Sequence, residues 1–197
     1  MPDNLYLNLW FSDSELVETL AHAAAAMRQM PFSAKLPGIT SVAVHPISWG
    51  EATILEEHFR PGISPEEAVT IAAGLPHDDY AYVFDANWDL WSPLVPEGEW
   101  TLRPSVVRFI VRGDEFEEGE SDTQGQVQVD FGLDAPFLYE ELQLSEEVET
   151  RVRNNVQKLV DFTTSVEKNS GAKTRLLWSE SEENLAQKLV NRLQRVN

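Results

Sequence analysis

Cysteine does not occur in the 197 residues. That removes disulfide staples, zinc–thiolate centres and thiol nucleophiles together. Basic side chains are scarce: Lys and Arg total 15 against 33 Asp and Glu, for a formal charge of −18. The imbalance is local. Residues 1–144 carry 25 acidic and 6 basic side chains, and residues 145–197 carry 8 and 9. A phosphate backbone would be repelled by the larger part, because nucleic-acid affinity comes mainly from Lys and Arg displacing counterions. No apolar run approaches the ~18 residues that would cross a bilayer, and no basic leader precedes the apolar residues near Met1. The expectation is a cytoplasmic chain with no nucleic-acid or membrane partner. No Walker loop, dinucleotide fingerprint or Gly-x-Ser-x-Gly elbow is present either.

What is present is periodic. Ser105 to Arg112 puts Val107, Phe109 and Val111 on one face and Val106, Arg108, Ile110 and Arg112 on the other. Gln126 to Leu133 alternates Val127, Val129, Phe131 and Leu133 against Gln126, Gln128, Asp130 and Gly132. The two strands form a hairpin whose connection, 113–125, holds Asp114, Glu115, Glu117, Glu118, Glu120 and Asp122. So much like charge predicts a solvated loop.

Leu5 to Phe11 is a strand with Leu5, Leu7, Leu9 and Phe11 inward and Tyr6, Asn8 and Trp10 outward. Ser12, Asp13 or Ser14 can cap a helix with Leu16, Leu20, Ala23, Met27 and Met30 inward, stopped by Pro31. Ile39–Ile47 and Ala52–Phe59 suggest a second hairpin. Ser64-Pro65-Glu66-Glu67 is a capping box opening a helix to about Gly74. Tyr80 to Asp85 forms a further strand.

After Pro136, Ser145 caps a helix with the stripe Val148, Val152, Val156, Leu159 and Val166, ended by Gly171. Lys173–Trp178 suggests a last strand, and Ser179 or Ser181 a cap for a final helix with Leu185, Leu189, Leu193 and Val196 inward. The expected fold is α+β, a mostly antiparallel sheet with amphipathic helices chiefly on one face. It reads as a single domain over 1–197, divisible into halves 1–92 and 100–197. The order strand, helix, strand, strand, helix, strand over residues 5–85 matches the split βαβ, or ferredoxin-like, motif.

The runs LVDFTTSVEKNSG (159–171), LLWSES (176–181), LAQKLVNRLQR (185–195) and DFGLDAPFL (130–138) resemble segments of uncharacterised bacterial proteins with no assigned activity. The resemblance lies mainly in the C-terminal third and implies no catalytic residue.

Two groups of residues are candidate sites. Asp85, Asn87 and Asp89 alternate like the opening of a calcium loop, but Leu90 and Pro96 stand where a sharp turn and a bidentate carboxylate are required. No metal is expected, and an Asx-turn is the simpler reading. With Trp88 and Trp91 this acidic, aromatic stretch, 80–91, could instead stack on a flat small ligand. Asp114, Glu115, Glu117 and Glu118 are candidates for docking a protein with a basic surface. The pairs Glu56-Glu57-His58 and His77-Asp78-Asp79 place imidazole beside carboxylate, but neighbours on a strand point to opposite faces. Asp130-Phe131-Gly132 matches a kinase triplet without the rest of a kinase. The functional expectation is a non-catalytic protein-binding module without cofactor. Its alternatives are a small-ligand binder or enzyme using 80–91, and an immunity-type inhibitor of a basic toxin or nuclease.

Overall fold

The computed structural model describes residues 3–12, 15–93, 98–139, 144–180 and 183–194. Seven strands form one sheet: β1 (Asn4–Trp10), β2 (Ile39–Pro46), β3 (Leu55–Ile63), β4 (Tyr80–Pro93), β5 (Trp100–Arg112), β6 (Val127–Leu133) and β7 (Thr174–Ser179). Their order is β3-β2-β4-β5-β6-β1-β7, and every neighbouring pair is antiparallel. β3, β2 and β4 lie together, and β1 is inserted between β6 and β7 of the second half. The apolar side of each alternation faces one core: Leu5, Leu7 and Leu9, Val42 and Val44, Tyr82 and Phe84, Val107, Phe109 and Val111, and Val127, Val129 and Phe131 are all buried.

The helices close that core. They are α1 (Leu16–Met27), α2 (Pro65–Ala73), the single turn α4 (Ala135–Leu138), the long α5 (Glu146–Asn169) and α6 (Leu185–Gln194); the single turn α3 (Ser121–Gln124) adds nothing to that core, and its Gln124 lines a cavity on the other face. In α1 Leu20, Ala23 and Met27 are buried; its N-cap is Glu15, which makes no side-chain cap bond. Asp13 and Ser14 lie outside the described residues, as do Pro96, Ser181 and Val196. The capping box of α2 is complete: Glu67 N donates to Ser64 Oγ at 3.1 Å and Ser64 N to Glu67 Oε2 at 2.9 Å. Ser145 caps α5, whose buried stripe is Val152, Val156, Leu159, Phe162 and Val166. Gly171 ends that helix at φ +80°, where a Cβ would meet the His22 ring. Ser179 is no cap; it ends β7 and donates to Asp134 Oδ2 at 3.0 Å. Among the described residues no helix is long and apolar enough to cross a membrane.

Further expectations need correction. The element order over 4–93 is the one read from the sequence, yet β1 does not join the others of that unit; it pairs with β6 and β7. A split βαβ crossover forms only as β3–α2–β4, parallel strands flanking β2, and again as β6–α5–β7, flanking β1. Element order fixes local crossovers, whereas the partner of β1 is chosen by contacts more than a hundred residues away.

Residues 85–91 are not a loop, because β4 runs on to Pro93 beside β5. The 113–125 connection is not a free loop either. It holds a 3₁₀ turn, Phe116–Glu118, and α3, with Phe116 fully buried. Backbone bonds tack it down, Glu117 N to Ile47 O and Glu115 N to Asp78 O, both at 2.9 Å. One apolar ring anchors a run of carboxylates.

The edge strand β3 has few buried residues and carries Glu56, Glu57, Arg60 and Pro61. On β6, Gly132 takes φ +74° at a register shift that turns Leu133 outward, 52% exposed, although alternation assigned it to the core.

Candidate functional site: the open face of the sheet

Antiparallel strands buried on one face leave a second face defined by their outward residues. The pairing register puts one residue from each strand into a single row across it: His58, Ser41, Asp85, Arg108, Asp130, Tyr6 and Trp178, from β3 to β7. The adjacent row contains Ala43 and Val83, whose small side chains leave room above the sheet. A concavity of about 730 Å³ results, walled by the row residues, by Trp49 and Thr53 from the β2–β3 turn, and by Glu120 and Gln124 from the β5–β6 connection. The site exists because the register aligns groups from seven separate segments.

Five carboxylates and two guanidiniums line it. Arg108 Nε donates to Asp85 Oδ1 at 2.8 Å and Nη2 to Oδ2 at 3.3 Å, a two-pronged pair that holds Arg108 more firmly protonated than usual. Arg112 is 3% exposed in its side chain and is bonded by Nε to Glu120 Oε2 at 2.6 Å and by Nη2 to Gln128 Oε1 at 2.9 Å. Gln128 in turn donates to Asn8 Oδ1 at 2.9 Å, and the Trp49 indole donates to Glu120 at 3.1 Å while its ring lies 5.8 Å from the guanidinium. Burial lowers the Arg112 pKa, partly offset by Glu120. Three buried polar atoms at this cavity have no partner among the described residues: Arg112 Nη1, His45 Nδ1 and Trp178 Nε1. Burial and the nearby Arg108 also push the His45 imidazole below its ordinary pKa, so it is neutral at pH 7.

Asp130 is different from Asp85 and Glu120. It accepts the Gly132 N–H at 2.8 Å, but no cation among the described residues lies within ion-pair distance of it. Burial raises its pKa despite that bond and the attraction of Arg108. Beside it the Tyr6 and Trp178 rings pack at 4.9 Å. Burial also raises the Tyr6 phenol.

The residues singled out from sequence are distributed by the alternation of β4. Asp85 is in the cavity. Asn87, on the same face, borders a smaller neighbouring hollow of about 480 Å³. Trp88 points the other way into the core, fully buried against Phe131, Phe137 and Phe162 at 5.4, 6.0 and 6.1 Å, and so offers no surface to a ligand. Asp89 accepts from Ala34 N at 3.2 Å. Trp91 lies under the Arg151 guanidinium at 4.8 Å and is pinned through its backbone by Asn155. Only Asp85 reaches the main cavity. Among the described residues no three His, Asp or Glu side chains come together as a metal-holding group. Asp114, Glu115 and Glu118 are exposed and Glu117 is half-buried. They belong to the connection that supplies Glu120 and Gln124.

The other histidines have partners of their own, His58 at the cavity and His22 and His77 away from it. His58 pairs with Glu56, two residues away on the same face, at 3.2 Å. His22 stacks on Phe11 at 4.4 Å and bonds Ser170 O at 2.7 Å. His77 packs on Tyr80.

Sequence reading did not single out Tyr6, Arg108, Arg112, Asp130 or Trp178 as a site. The available signal was the outward half of β1, β5 and β6, where Arg, Asp and Tyr alternate with core residues.

No protein-family model matches the chain, and no curated protein or solved structure matches it.

Proposed function

We propose that this chain is a cytoplasmic, non-catalytic binding module that holds a protein with a basic surface on the open face of its sheet. The observation that carries the reading is the one-sided architecture: the longer helices pack on one face and leave a concave, charged surface on the other. Excess carboxylate there favours a positively charged partner and speeds its approach. Against catalysis stands the cavity's own chemistry. Among the described residues His45 and His58 make no hydrogen bond to a hydroxyl that they could activate. A basic nuclease or toxin is one partner class of this kind, with Asp114, Glu115, Glu117 and Glu118 standing in for phosphates.

The test is to place bulk and like charge in the middle of the face. Ala43→Arg should abolish salt-sensitive co-purification of a basic protein from a native lysate. Gln157→Arg, on exposed α5, should leave it unchanged. Equal capture by both variants would reject the open face as the docking surface.

A further inference from the structure

Cations are distributed unevenly in the cavity. Asp85 is gripped by Arg108, and Glu120 by Arg112, but among the described residues the half-buried Asp130 in the same row has only a backbone N–H. A carboxylate taken from water without a counter-charge is costly, and the cost is recovered when a cation arrives. The next two positions along the row are the Tyr6 and Trp178 rings, whose faces attract a cation and stack on a planar one.

Arg112 Nη1 and Trp178 Nε1, on residues that line the same cavity, are buried without a partner among the described residues. The volume of about 730 Å³ exceeds one side chain and suits a short protruding segment.

We propose that the cavity receives the guanidinium of an arginine presented by the partner protein, seated between the Asp130 carboxylate and the rings of Tyr6 and Trp178. The inference rests on the protein-binding reading above and adds the group recognised. Arginine fits better than lysine because its planar fork meets a carboxylate with two hydrogen bonds while its face lies on an aromatic ring.

The experiment is an NMR titration that follows the indole N–H resonances of Trp178 and, as a buried control, Trp88. The probes are N-acetyl-arginine amide and its neutral isostere N-acetyl-citrulline amide. Capped arginine should shift the Trp178 resonance saturably at roughly millimolar concentration and leave Trp88 unmoved. Capped citrulline should bind at least about tenfold more weakly, as should capped arginine with Asp130→Asn, which keeps the shape and removes the charge.

An unmoved Trp178 resonance, or equal shifts in the wild type and Asp130→Asn, overturns the inference. If Ala43→Arg abolishes partner capture while Asp130→Asn changes neither capture nor the titration, the docking face stands and the arginine seat falls. If capped arginine binds through Asp130 but Ala43→Arg leaves capture intact, the seat belongs to a small guanidinium compound, and its assignment to a partner protein's side chain is overturned.

Discussion

Ile47 is a β-branched residue held at φ +62°, a conformation such side chains rarely adopt. Its N–H bonds Asp79 O at 2.7 Å and its carbonyl accepts from Glu117, while its side chain is 59% exposed. The backbone is thus locked from both sides for the sake of a side chain that packs on little. Ile47→Gly should therefore stabilise the fold by about 1 kcal/mol in a denaturant titration, the reverse of the usual sign for glycine. Trp88→Ala should cost ~3–5 kcal/mol, because it empties the centre of the Phe131–Phe137–Phe162 cluster.

Asp130 makes a pH prediction. Its folded pKa is raised, chiefly by burial, so the folded state holds this proton more tightly than the unfolded chain does. The resulting stabilisation is complete below the ordinary aspartate pKa and is lost as pH rises through the raised value. Asp130→Asn should accordingly raise Tm over wild type at pH 7. The difference should vanish in melts taken below about pH 4. A gain in stability together with a loss of arginine binding would identify a carboxylate kept for its ligand.

The connection between β5 and β6 shows how a charged segment is fixed. Glu120→Gln would leave the buried Arg112 guanidinium without its carboxylate. The cost should be roughly 2 kcal/mol by chemical denaturation. Ser64→Ala, removing the α2 cap, should cost about 1 kcal/mol by the same measurement.

These elements also mark what could be read without coordinates. Strong alternation exposed both faces of β1, β5 and β6, and the α2 capping box and α5 stripe were equally plain, because each signal is contained within a few turns of chain. Residues 85–91 misled because short polar side chains at every second position describe a turn or the wet side of a strand equally well. The 113–125 connection misled because one buried ring, Phe116, outweighs six carboxylates. The cavity was out of reach, since Tyr6, Asp130 and Trp178 become neighbours only through non-local register.

The protein as a whole is an acidic body with its apolar side chains gathered under one side of a sheet. With a formal charge of −18, self-repulsion opposes compactness and is screened by salt. Tm should rise as sodium chloride is increased from ~10 mM to ~500 mM, a span that shortens the Debye length severalfold.

The rim strand β3 has a further consequence. A second chain trying to lengthen the sheet there would meet Pro61, which has no N–H to give, and the charges of Glu56, Glu57 and Arg60. The ribbon of strands cannot be propagated from that border. Any edge-to-edge pairing of two sheets should therefore involve the opposite border, β7, and not β3.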